Sequence, residues 1–191
     1  MHEIVAKPRL VGMAGSLRKG SYSRAALLGL RDRLPANARL DICDLQLPLY
    51  NEDDDGPAAK EAVHAFRRSI AASDGVVIVT PEYNHGIPGV LKNALDWASR
   101  PFGQSGLIDK PVLVMSISPA FTGGVRAQAQ LHETLLAIQA RIVLGPQIVI
   151  GGAADKVRDG VLVDSACLGF VLPALERLIV MSRDSRSQLT F

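Results

Sequence analysis

The sequence predicts an α/β protein, a three-layer α/β/α sandwich built on a five-stranded parallel sheet in the order 2-1-3-4-5. Three observations carry this. Short apolar runs recur five times, alternating with stretches whose apolar residues follow helical spacing. That alternation is the signature of βα units, whose parallel strands are covered by helices on both faces. The runs Gly75–Thr80 and Pro111–Ile117 end in loops of proline, glycine and polar residues, as strands of an open α/β sheet do where they meet a ligand. The chain has 191 residues, 48% apolar and 21% charged, which suits one domain with a sizeable core and no disordered region.

Each element follows in order. The first strand reads Arg9 to Gly15, and the polar loop Ser16 to Ser23 leads into a helix from about Ser23 to Leu34, closed by Pro35 because the residue before proline disfavours helix. A second strand covers Arg39–Cys43, alternating at Leu40 and Ile42. The stretch Leu45 to Gly56 is a loop with an acidic cluster, Glu52 to Asp55, read as a solvated face, and Pro57 suits the first position of the next helix. That helix runs to about Ser73 with Ala62, Val63, Phe66, Ile70 and Ala71 on one face. The third strand, Gly75–Thr80, is followed by Pro81 to Gly89 and a helix from Val90 to Arg100. The fourth strand is Pro111–Ile117, followed by the loop Ser118 to Gly124 and a helix from Val125 to Ala140. Arg141–Leu144 and Gln147–Ile150 form a fifth strand broken at Gly145-Pro146. A last helix spans Asp164 to Met181, leaving a polar tail, Ser182 to Gln188. No repeat, linker or low-complexity segment divides the chain, so residues 1–191 are expected to form a single domain.

Composition narrows the function. A net charge of +2 is too mild for a nucleic-acid partner and compatible with anionic cofactors. Uninterrupted apolar runs fall far short of the ~20 residues of a membrane span, and Met1 to Pro8 shows no signal-peptide pattern. The two cysteines, Cys43 and Cys167, are far apart in sequence and have no metal-ligand or CxxC spacing. These readings lead to the expectation of a cytoplasmic protein with no metal and no membrane or nucleic-acid partner.

The strand order puts its switch point between strands one and three, where two polar loops meet. Pro81-Glu82-Tyr83-Asn84-His85-Gly86-Ile87-Pro88-Gly89 is a rigid floor carrying polar side chains that are costly to bury without a purpose. Gly15 to Arg24 offers hydroxyls at Ser16, Ser21 and Ser23, the guanidinium of Arg18, and backbone N–H groups at a helix N-terminus, which together suit phosphate. The same residues also suit a serine-rich cap beside solvated cations. The loop matches neither a Walker motif nor GxGxxG, so a monophosphate fits better than a pyrophosphate.

These two loops, with Leu91-Lys92-Asn93-Ala94-Leu95-Asp96-Trp97 and the segment Ser118 to Gln128, resemble the NADPH-dependent FMN reductase family of flavodoxin-like quinone, chromate and azo-dye reductases. The resemblance covers about Arg9 to Leu178 and departs at Ser23, where many members carry asparagine. It implies a flavodoxin-like fold, FMN as cofactor, NADPH or NADH as donor, and a quinone, azo compound, flavin or metal oxyanion as acceptor. It also implies a homodimer or homotetramer. By resemblance, Ser16, Arg18, Ser21 and Ser23 bind the FMN phosphate. Pro81, Glu82, Tyr83, Asn84, His85 and Gly86 line the isoalloxazine, and Ser118, Gly123 and Gly124 close its other side. No side chain is assigned an acid or base role, because the cofactor carries the chemistry. Arg126 is open between an NADPH phosphate and an acidic partner. Leu47 to Gly56 and Gln104 to Lys110 are the loops expected to shape an acceptor pocket. The competing class is a flavodoxin-type electron carrier, against which the mildly basic chain and its Arg-Lys loop count. A receiver-like signalling module would need acidic residues where Ala14-Gly15 and Thr80-Pro81 stand.

Overall fold

The computed structural model describes residues 7–187; residues 1–6 of the N-terminal stretch and Gln188 of the expected tail lie outside them. In chain order the elements are β1 (Arg9–Ala14), α1 (Tyr22–Arg31), β2 (Arg39–Ile42), α2 (Glu61–Ala71), β3 (Gly75–Thr80), α3 (Gly89–Ala98), β4 (Pro111–Ile117), α4 (Val125–Ala137), β5 (Arg141–Ile142), β6 (Ile148–Ile150), α5 (Ala153–Lys156), β7 (Val157–Arg158), β8 (Val161–Leu162) and α6 (Ser165–Ser187). The main sheet is parallel in the order β2-β1-β3-β4-β5, with β6 also on β4. The strand broken at Gly145-Pro146 therefore appears as two pieces on one neighbour. Val112 pairs with Ile142, and Ser116 with Val149.

Pleating sends alternate side chains of the central strands to opposite faces. Leu10, Val77, Val79, Leu113 and Met115 meet α1 and α6 on one side. Val11, Met13, Val76, Ile78, Val112 and Val114 meet α2, α3 and α4 on the other. These two clusters make the three layers. All six residues of β3 and all seven of β4 are buried, as central strands covered on both faces must be.

Several boundaries differ from the sequence expectations for local reasons. Pro57 does not open α2. It sits in a 3₁₀ turn, Gly56–Ala58, capped by Asp55, and the helix begins at Glu61 after Lys60. On α2, Val63, Phe66 and Ile70 are buried while Ala62 and Ala71 are exposed, so the apolar face is narrower than expected. Helix α1 ends at Arg31, and its last turn closes through Asp32 N–H to Leu28 O. Likewise α4 stops at Ala137, where Ile138 N–H returns to Thr134 O. The polar tail is helix through Ser187. Ser182 is fully buried because its hydroxyl donates to Leu178 O at 2.7 Å. The hairpin of β7 and β8 was not anticipated; its two-residue strands pack Leu162 into the core beside α1. Although no uninterrupted apolar run approaches a span, the stretch Ser165–Asp184 averages a hydropathy of 1.5 and is long enough to cross a membrane by length and composition alone. In the fold, its Leu168, Val171, Leu175 and Leu178 form one wall of the core, the role of a helix layer on a sheet.

Candidate functional site

Three loops leave the carboxyl ends of β1, β3 and β4 and converge. The first, Gly15 to Ser21, is pinned at both ends. Gly15 N–H donates to Val79 O at 2.9 Å, which joins it to β3. Ser21 is the N-cap of α1, its hydroxyl accepting from Arg24 N–H at 3.2 Å. Ser16 turns the chain, with Oγ accepting from Arg18 N–H at 3.4 Å. Ser23 lies in the first turn of α1. Its Oγ is buried and has no hydrogen-bond partner among the described residues. A hydroxyl buried without a partner costs free energy.

A cavity of about 520 Å³ opens beside this loop, lined by Ser16, Arg18, Lys19 and Arg24 and, across it, by Cys43, Asp44 and Gln46. Three cations face one carboxylate, and among the described residues no ion pair holds Arg18, Lys19 or Arg24. The charge excess suits an anion at the helix N-terminus. Cys43 lies just past β2, and its thiol is 3.3 Å from Ser69 Oγ. Burial pushes that thiol's pKa up, so it behaves as a neutral wall group and not as a nucleophile.

The second loop, Pro81 to Pro88, is a tight turn. Tyr83 and Gly86 exchange both backbone hydrogen bonds, at 3.0 and 3.1 Å. Between them Asn84 and His85 take positive φ, 51° and 67°, the signature of a type I′ turn. Tyr83, Asn84 and His85 are exposed, while Glu82 is half-buried. The Glu82 side chain points away from the tip. Its Oε2 accepts from Arg126 N–H at 2.9 Å, and its Oε1 lies 3.5 Å from Arg126 Nη1. Glu82 thus caps α4, whose own N-cap, Gly124, has no side chain to do so. The same contact gives Arg126 an acidic neighbour, at 3.5 Å, while its side chain stays 55% exposed.

The third loop, Ser118 to Gly124, meets the second at Gly124. That residue has φ of 85°, and a Cβ there would lie 3.4 Å from Glu82 Cβ and 3.3 Å from Ser116 Cβ, so both conformation and space call for glycine. Gly123 has φ of 61° and is closed on its far side by Val149. Ser118 N–H donates to Ile150 O at 3.0 Å, and Ser118 Oγ accepts from Ala120 N–H at 3.2 Å.

The structure therefore brings the thirteen expected residues to one end of the sheet, twelve on three adjoining loops and Ser23 in the first turn of α1. It adds one residue that the sequence did not point to, Gln130, and shows the partners of two from the Leu91–Trp97 motif. Gln130 on α4 accepts from Ile87 N–H at 2.7 Å. Asn93 and Trp97 of α3 both donate to Pro48 O, at 2.9 and 2.8 Å, and Asn93 Oδ1 accepts from Tyr50 N–H at 2.7 Å. Trp97 is 1% exposed, with Tyr50 against its edge and Arg67 over its face. Asn93 and Trp97 stand four apart, hence on one helical face, and that spacing was the available signal for a shared partner. One expectation about acceptor loops changes. Gln104 to Lys110 joins the end of α3 to the start of β4, with Asp109 N–H on Gln139 O. It therefore lies at the amino ends of the strands, away from the three loops. Leu47 to Gly56 is clamped along α2 and α3, and only the residues before it, Cys43 to Gln46, wall the cavity.

Residues 8–155 match the model of a family described as NADPH-dependent FMN reductase. A quinone reductase of Pseudomonas putida is 43% identical over 148 residues, covering 77% of this chain and 80% of that protein. A quinone reductase of Escherichia coli (strain K12) is 39% identical over 171 residues, covering 85% and 88%. Among solved structures, FerB, a flavoenzyme NAD(P)H:(acceptor) oxidoreductase from Paracoccus denitrificans, superposes with a TM-score of 0.83 at 31% identity, covering 93% of this chain and 98% of that one. A flavodoxin from Pseudomonas aeruginosa, at 14% identity and a TM-score of 0.54, shares the fold.

Proposed function

The chain belongs to the NADPH-dependent FMN reductase family and is an FMN- and NAD(P)H-dependent oxidoreductase; from that premise we propose that quinones are its electron acceptors and that the three converging loops hold the flavin. FMN, when bound, supplies two-electron acceptance from NAD(P)H and two-electron delivery to the acceptor. The observation that supports the site is the phosphate side. Arg18, Lys19 and Arg24, which no ion pair holds among the described residues, line one cavity with Ser16 beside the N-terminus of α1, a cation-rich lining that suits a monophosphate; the buried Ser23 hydroxyl lies in the first turn of the same helix, outside that lining.

In this reading Ser16, Arg18, Ser21 and Ser23 hold the phosphate. Pro81, Tyr83, Asn84, His85 and Gly86 line the ring, and Ser118, Gly123 and Gly124 close its far side. Glu82 serves the ring indirectly by fixing the turn to α4. Of the amides from Tyr83 to Ile87, three are committed within the protein, leaving those of Asn84 and His85 to donate outward. Donors fixed on a rigid turn stabilise developing negative charge without reorganising, and α3, which starts at Gly89, points its positive end the same way. No side chain needs to act as acid or base.

The acceptor class rests on the quinone reductases that match most of the chain. We read the protein further as one FMN-binding domain in a cytoplasmic homodimer or homotetramer, without nucleic-acid or membrane partners. The homo-oligomer rests on the family resemblance; Leu49, Phe102 and Leu136 are large apolar side chains left exposed, at 85%, 88% and 72%, that an interface between copies would cover. Initial-velocity kinetics with NADPH and a benzoquinone test the function. Two substrates using one opening in turn give parallel double-reciprocal lines, and intersecting lines contradict this.

A further inference from the structure

We propose that Gln130 of α4 is the positioning residue of the flavin-facing turn, acting through the Ile87 amide and across Gly86. The inference rests on the functional reading above for what the turn faces, but its geometry stands on its own. The Tyr83–Gly86 turn holds two non-glycine residues, Asn84 and His85, at positive φ. That conformation is unfavourable for L-residues and persists where surrounding contacts over-determine it. Within the turn there is a single reciprocal backbone pair, so the restraint must come from outside.

It comes from α4 at both ends of the loop. At the entry, the Glu82 carboxylate is fixed on Arg126 N–H. At the exit, Ile87 N–H donates to Gln130 Oε1 at 2.7 Å, across 43 residues of sequence. Arg126 and Gln130 are four apart, one helical turn, so a single rigid face of α4 grips the loop before and after its tip. The amide of Gln130 also passes over Gly86, where an added Cβ would lie 2.5 Å from Gln130 Oε1. Gly86 is thus small because a bracing side chain crosses it. An alanine there displaces the glutamine, so Gly86→Ala and a loss of Gln130 break the same contact by different routes. Gln130 itself is exposed, and its replacement leaves no core void. It touches no group assigned to the phosphate and is a positioning residue, not a catalytic one.

The test compares full-length wild type, Gln130→Leu, Gln130→Glu, Gly86→Ala and the Gly86→Ala/Gln130→Leu pair. Three readouts are used: amide exchange at Ile87 by NMR, the dissociation constant of added FMN, and its visible circular dichroism. Losing one hydrogen bond of ordinary strength predicts roughly three- to tenfold faster Ile87 exchange in Gln130→Leu. FMN affinity is expected to fall by a similar factor, with an altered flavin dichroism band. Gln130→Glu, which keeps an acceptor oxygen, restores all three. Gly86→Ala behaves like Gln130→Leu, and the double variant is no worse than either alone, the non-additivity of two changes that remove one contact. Wild-type exchange in Gln130→Leu overturns the brace. Faster exchange with unchanged FMN affinity and dichroism overturns its positioning role, as does simple additivity in the double variant. A wild-type chain that takes up no FMN overturns the functional reading instead, and with it the flavin-facing half of this inference.

Discussion

Glu82 is the residue whose replacement separates bracing from cofactor contact. Its side chain is 11% exposed and accepts from Arg126 N–H at 2.9 Å, in the position a capping side chain would take at the start of α4. Replacing a cap by alanine costs about 1 kcal/mol, and losing a hydrogen bond to a charged acceptor about 1.5–3 kcal/mol. The Arg126 guanidinium adds little, because its pairing with Glu82 is 3.5 Å long and its own side chain is 55% exposed. Glu82→Ala should therefore destabilise the fold by about 2 kcal/mol, roughly 4–8 °C in Tm for a chain of this size. Glu82→Gln keeps an oxygen acceptor and should lose less than about half of that. Urea unfolding followed by the single tryptophan, Trp97, which lies buried in the α3 layer, measures both. FMN affinity should fall only as far as the loop loosens, and more in the alanine variant. Full stability in Glu82→Ala together with abolished FMN binding would refute the cap and make Glu82 a direct cofactor ligand.

Arg18→Ala should weaken FMN by about 1.5–3 kcal/mol, or roughly 10- to 150-fold, read by fluorescence titration; unchanged affinity would put the phosphate elsewhere. At the turn tip Asn84 has φ of 51°, so Asn84→Val should cost about 1–2 kcal/mol while Asn84→Gly is tolerated, and equal stability of the two would contradict the type I′ geometry. Asp55 gives a pH prediction. Burial works against its charge, but the Gly56 N–H and the Arg67 guanidinium at 2.8 Å outweigh it and hold the carboxyl below its usual range. A depressed folded-state pKa contributes stability that is complete above the ordinary value of about 4 and is lost as pH falls through the folded value. Asp55→Asn should therefore lower stability at neutral pH and flatten the acid limb of the stability curve below about pH 4; a limb of unchanged slope would contradict that.

What the sequence made legible is what local chemistry writes into it. The limits of β3 and β4 agree with expectation residue for residue, because strands buried on both faces leave uninterrupted apolar runs. The break at Gly145-Pro146 was equally visible, since proline cannot donate to a ladder. Helix ends were less legible. Pro57 fits both a helix start and a 3₁₀ turn, and only the Asp55 cap decides between them. Ser182 looked like tail because its bond to Leu178 O hides the polarity of a buried hydroxyl. At the site, the three loops could be read from their residues, but their mutual bracing could not. Glu82 reaches Arg126 across 44 residues, and Ile87 reaches Gln130 across 43. No periodicity or motif spacing encodes a contact between a loop and a helix three elements later. The chief consequence is for Glu82. The motif placed it beside the flavin, and the fold turns its carboxylate towards α4.

The central claim is that the three converging loops make a flavin site at which NAD(P)H is oxidised. The most direct measurement is the absorption spectrum of the purified protein supplemented with FMN and freed of unbound cofactor, recorded anaerobically before and after NADPH. Retained flavin bands that bleach on NADPH and return on adding a benzoquinone are the predicted result. A protein that retains no flavin bands, or whose bands do not bleach, would contradict the account.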